Sequence, residues 1–84
     1  MNSKPKLIQI PIVGKGNVTI NIYHISSIEE EGGKAGNLKI SLSNGKEYLM
    51  SGERMKRRMI NIGFNYNEYE DMMGAFLAWL GLVL

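Results

Sequence analysis

Short runs of alternating apolar and polar residues fill the first half of the chain, and a solid apolar run closes it. In residues 7–13, Ile8, Ile10 and Ile12 recur at every second position, the period of a β-strand. Pro11 lacks the amide proton a ladder needs, which puts this strand at a sheet edge. Gly14-Lys15-Gly16-Asn17 has turn chemistry. Residues 18–25 then return with Val18, Ile20 and Ile22 on one face and Thr19, Asn21 and Tyr23 on the other, so a hairpin is expected. The pattern breaks where Ile25 and Ile28 bracket Ser26-Ser27, which predicts a bend or a short continuation. Residues 29–37, glutamate-rich and then glycine-rich, read as a flexible loop.

Residues 38–43 and 46–50 form the clearest local unit. Leu38, Ile40 and Leu42 alternate with Lys39, Ser41 and Ser43, and Asn44-Gly45 favours a two-residue type I′ turn. Such a turn pairs Ser43 with Lys46, Leu42 with Glu47, Ser41 with Tyr48 and Ile40 with Leu49. Leu38, Ile40, Leu42 and Leu49 then share the core face, and Tyr48 and Met50 fall on the other side.

Two helices are expected after the strands. Ser51 is an N-cap residue, Met55, Met59 and Ile62 stand at helical spacing, and Gly63 is a natural stop, which places a short helix over 52–61. Ile60, Ile62, Phe64 and Tyr66 also alternate, so a strand over 59–66 is the rival pattern. Asn65 or Asn67 caps a longer helix over 67–83, with Glu68, Glu70 and Asp71 in its first turns, where the helix dipole favours negative charge. These elements predict a single α+β domain over 1–84. An antiparallel sheet of about four strands spans 7–50, and both helices pack on the face carrying the apolar strand positions.

Residues 72–84 contain no charged side chain. The run is too short for a membrane span, which takes ~20 apolar residues. It also lacks the basic face of a helix that lies on a membrane. A helix apolar on every side must be covered on every side. Self-association through Met72, Met73, Phe76, Leu77, Trp79, Leu80, Val83 and Leu84 would cover it, as would a sheet curled round the helix or a partner protein. Size adds weight to a homo-oligomer. A domain of 84 residues has a thin stability margin. Without cysteine it has neither a disulfide nor a cysteine zinc site, and it has one histidine, His24. The lack of cysteine fits the cytoplasm. The N-terminal segment, interrupted by Pro5 and Pro11, does not read as a secretory signal, so the sequon Asn17-Val18-Thr19 is taken as chance.

Charge is segregated. Residues 1–58 carry ten basic and five acidic side chains, and residues 59–84 carry three acidic and no basic ones. Arg54, Lys56, Arg57 and Arg58 form the one basic cluster. It is a candidate contact for nucleic-acid phosphates, with a solvated helix face as the plain alternative. Residues for catalysis are scarce. A Ser–His–acid set would have to use His24 inside an expected strand, Glu29-Glu30-Glu31 reads as solvated charge, and Gly32–Gly36 lacks the spacing of a phosphate loop. No enzyme activity, cofactor or metal is expected.

The phrase from Val18 to Glu30, followed by Leu38-Lys-Ile-Ser-Leu-Ser-Asn-Gly-Lys-Glu-Tyr-Leu-Met-Ser-Gly-Glu, resembles small bacterial proteins of the FlbD type, associated with flagellar gene clusters. The opening half of a LytTR DNA-binding domain has a similar rhythm. The resemblance covers about residues 8–53 and implies a small bacterial or phage-borne accessory domain. The apolar run 72–84 has no counterpart in the FlbD type, and the LytTR likeness stops before that family's DNA-contacting strands. No site residue carries over from either.

Overall fold

The structure is a computed structural model that describes residues 6–31 and 36–83. Five strands come first: β1 (Leu7–Pro11), β2 (Asn17–Asn21), β3 (Ile25–Glu30), β4 (Leu38–Leu42) and β5 (Glu47–Met50). Helices α1 (Gly52–Asn61) and α2 (Met72–Val83) follow, and single 3-10 turns occupy Ile22–His24 and Tyr66–Glu68. The class is α+β, as expected. The single sheet of about four strands is corrected to two antiparallel sheets, β1-β2 and β3-β4-β5.

The expected strand over 18–25 breaks because Asn21 offers the backbone another partner. Its Oδ1 accepts a hydrogen bond from the Tyr23 amide at 3.0 Å, which starts the 3-10 turn. The chain then resumes as β3, which takes up part of the expected loop. A bulge between Ile25 and Ser27 accounts for the broken period. Ile25 opposes Leu42 and Ile28 opposes Ile40, because one extra residue lies between them. Glu29 sits directly opposite Lys39 and pairs with it at 3.3 Å.

The β4-β5 register is also corrected, by one residue. Leu38 opposes Met50, Lys39 opposes Leu49 and Ile40 opposes Tyr48. The Gly45 amide bonds the Leu42 carbonyl, and the Leu42 amide bonds the Lys46 carbonyl. Only Gly45 has positive φ there (88°). This is a three-residue connection, a type I turn followed by a left-handed glycine, in place of the type I′ turn. The Asn44 side chain accepts from the Lys46 amide, so Asn44 contributes without taking positive φ. The slip carries Met50 to the core and leaves Leu49 half-buried, the reverse of the expected faces.

Among the described residues the two sheets meet at one bridge, Ile12 to Met50. The Val13 amide donates to Leu49 (2.9 Å) and the Ser51 amide donates to Pro11 (2.8 Å). β1 therefore ends at Pro11, short of the expected 13, and its continuation pairs with β5.

Helix α1 has the expected bounds. Ser51 Oγ accepts from the Arg54 amide at 3.2 Å, and Asn37 Oδ1 accepts from the Gly52 amide at 3.0 Å. At the other end Gly63 (φ 87°) makes a Schellman turn, with Gly63 bonding Ile60 and Phe64 bonding Met59. The expected apolar stripe loses Ile62, which stands at the C-cap and is exposed, while Met55 and Met59 are fully covered. Helix α2 starts at Met72, not 67. Its cap is Asp71, whose Oδ1 accepts from the Gly74 amide at 2.9 Å. Neither Asn65 nor Asn67 caps it, because the chain between forms a 3-10 turn and then runs extended at Tyr69.

One core joins every element. Ile8, Ile10 and Ile20 from the first hairpin meet Leu38, Ile40 and Met50 from the second sheet, Met55 and Met59 from α1, and Ala75, Phe76 and Trp79 from α2. Each fully covered large side chain contributes about 1.5–3 kcal/mol. Among the described residues no polar or charged side chain is buried.

Candidate interaction surfaces

Arg54, Arg57 and Arg58 line one hollow beside α1, Lys56 lies apart from them, and each of the four has a partner. Arg54 Nη1 donates to the carbonyls of Ile12 (2.9 Å) and Lys15 (2.6 Å) in the first turn. One helical turn on, Arg58 donates to the Gln9 carbonyl and to Asn17 Oδ1 (2.8 Å). These two side chains tie α1 to the β1-β2 hairpin. Arg57 points to solvent and pairs with Glu53 at 3.0 Å. Lys56 lies over the Tyr66 ring, 5.1 Å from its centroid. The cluster is thus divided between structural bonds and local pairs, with three of its four cations on one face and Lys56 off it. Partial burial, and then the neighbouring Arg54, hold the Arg58 guanidinium below its ordinary pKa.

Helix α2 is two-sided. Met72, Ala75, Phe76, Trp79 and Leu80 are buried within the chain, with the Phe76 and Trp79 rings stacked at 5.9 Å. Of the residues expected at an oligomer interface, Met72, Phe76, Trp79 and Leu80 therefore belong to the core, and Met73 and Val83 are half-buried. Leu77 is 51% exposed. Leu84 lies outside the described residues. The outward face also carries Gly74, Ala78, Gly81 and Leu82, the last 73% exposed. It contains no charged side chain.

Two hollows flank α1 and share Asn17, Arg58 and Ile62. One also takes in Leu7 and Trp79, and the other Arg54, Arg57 and Asn61. Leu7 and Ile62 are 62% and 61% exposed. The sequence singled out neither Leu7 nor its place in the same hollow as Ile62. A third hollow of about 300 Å³ lies where Glu30 and Glu31 face Asp71, Met72 and Met73. Among the described residues, no three His, Cys, Asp or Glu side chains form a metal-binding group. His24 is exposed at the end of the first 3-10 turn, where its carbonyl accepts from the Ser43 amide, and so is not in a strand. Gly32–Ala35 of the phosphate-loop-like stretch lie outside the described residues. No described helix is long and apolar enough to cross a membrane.

The chain matches no family model, no curated protein and no solved structure.

Proposed function

We propose that this chain is a non-enzymatic accessory module of bacterial or phage origin, acting in the cytoplasm, that associates with a second copy of itself through the outward face of α2. The observation that carries this reading is the uncharged surface formed by Leu77, Ala78, Gly81 and Leu82 on a helix whose other side is buried in the core. Contiguous apolar surface on a small domain marks an interface. A face without charge suits its own image across a two-fold axis, because no like-charged groups are brought together. Gly74, Ala78 and Gly81 let two backbones approach closely. The cadence of residues 8–53 supports the bacterial accessory setting.

The test is solution mass by light scattering at low and high salt. A dimer at both salts that becomes a folded monomer on Leu77→Glu is the expected result. A wild-type monomer at all concentrations would sink the reading. Leu77→Glu is the informative change because Leu77 is exposed, whereas an acid at Phe76 or Leu80 would break the core. The alternative, a nucleic-acid-binding regulator using Arg54, Lys56, Arg57 and Arg58, has less support, since Lys56 lies over Tyr66 away from the other three and Arg57 is paired with Glu53.

A further inference from the structure

The two hollows beside α1 adjoin at Asn17, Arg58 and Ile62, and together they make a groove with an apolar half and a cationic half. Leu7, Ile62 and Trp79 line the first half, and Arg54, Arg57 and Asn61 line the second, with Arg58 between them. The halves hold about 570 and 350 Å³, and both are open to solvent. A small ligand in so open a groove would stay mostly wet, whereas an extended chain can lie along it.

Of the three arginines in the groove, Arg57 pairs with Glu53, and neither Arg54 nor Arg58 meets a carboxylate among the described residues. Each guanidinium has five N–H donors. The hydrogen bonds described above use two on each side chain, which leaves three on each for a further acceptor. The two like charges also stand one helical turn apart, so an anion placed between them would relieve their repulsion. Beside them, Leu7 and Ile62 hold large apolar side chains out in a concave surface.

We propose that this groove docks an extended segment of another protein that carries a carboxylate next to a bulky apolar side chain. The carboxylate takes the free N–H groups of Arg58 and Arg54, and the apolar side chain lies across Ile62 and Leu7 against the edge of Trp79. Nucleic acid fits less well. The apolar half offers nothing to a sugar-phosphate backbone, and Trp79, only 8% exposed, has no open ring face on which a base could stack.

Trp79 is the single tryptophan of the chain and reports on the groove directly. The probe is a synthetic peptide, Leu-Asp-Phe-Glu-Leu-Asp with blocked ends, titrated against the intact chain while tryptophan emission is followed. Its amide counterpart, Leu-Asn-Phe-Gln-Leu-Asn, and a single-stranded oligonucleotide are run alongside. The expected result is a saturable shift with the acidic peptide, weakened at least about fivefold in Ile62→Ser and in Arg57→Glu. Both positions are exposed, so both variants keep the fold, and far-ultraviolet circular dichroism verifies this. Leu77→Glu, on the opposite face of α2, leaves the titration unchanged. No shift at about 1 mM peptide would overturn the proposal, as would equal binding of the amide peptide or tighter binding of the oligonucleotide. A shift that grows with protein concentration alone, and vanishes in Ile62→Ser, would give the groove to a second copy of this chain and would equally overturn it.

Discussion

Arg58 on α1 and Asn17 at the start of β2 are hydrogen-bonded side chain to side chain at 2.8 Å across a sequence separation of 41 residues. The same guanidinium also bonds the Gln9 carbonyl, so one side chain holds the helix against both strands of the hairpin. Hydrogen bonds to a charged group contribute about 1.5–3 kcal/mol each. Arg58→Ala is therefore expected to lower unfolding stability by roughly 2 kcal/mol in urea denaturation. Arg58→Lys should recover only part of that, because a single ammonium cannot reproduce the planar fork.

The turn between β4 and β5 makes a second contrast. Gly45 has φ 88° with open space where a Cβ would stand, so Gly45→Ala meets backbone strain alone and costs about 1 kcal/mol. Gly16 also has open space, but without positive φ. Gly16→Ala should be neutral or stabilising by up to about 1 kcal/mol. The thermal unfolding midpoint should fall in Gly45→Ala and hold or rise in Gly16→Ala.

Neighbouring positions on α2 separate core from surface. Phe76 is fully covered, and Phe76→Ala should cost about 3–5 kcal/mol, enough to unfold much of so small a domain at room temperature. Leu77→Ala should stay within about 0.5 kcal/mol under dilute conditions.

Lys39 gives a pH test. Its hydrogen bond to Glu29 and the charge of that carboxylate raise the Lys39 pKa above the ordinary lysine value. The folded value lies above the unfolded one, so the pair's contribution is complete below the ordinary lysine range and is lost as pH rises through the folded value. Lys39→Met should thus lower stability slightly at neutral pH and make no difference in strong alkali. Added salt should shrink the neutral-pH effect, because the pair is exposed.

Much of this fold can be read from local chemistry, and helix α1 is the best case. Its two ends are written in Ser51 and Gly63, and both residues do what their types favour. The apolar faces of β1 and β4 follow equally from period two. What escapes is decided by single hydrogen bonds or by partners distant in sequence. Asn21 breaks a strand that its neighbours would continue, and Asp71 captures a helix start that Asn65 and Asn67 also fit. Ser43-Asn44-Gly45 supports two turn geometries, and the choice between them decides whether Met50 or Leu49 is buried. The basic cluster reads as a free surface until the hairpin carbonyls are known to lie within reach of Arg54 and Arg58. Half of α2 is hidden for the same reason: an unbroken apolar run does not say which side the core takes.

The single Ile12–Met50 bridge has a consequence for how the molecule comes apart. Among the described residues this bridge and its two backbone hydrogen bonds join the sheets without a continuous ladder, a short seam that leaves the β1-β2 hairpin able to open separately from β3-β4-β5. What binds them into one cooperative unit is the shared side-chain core and the two arginines of α1. Amide hydrogen exchange should therefore show similar protection at Ile10 and Ile40, on either side of the seam, in the intact chain. In Arg54→Ala/Arg58→Ala the amides of β1 and β2 should exchange first, through a local opening that leaves the larger sheet protected.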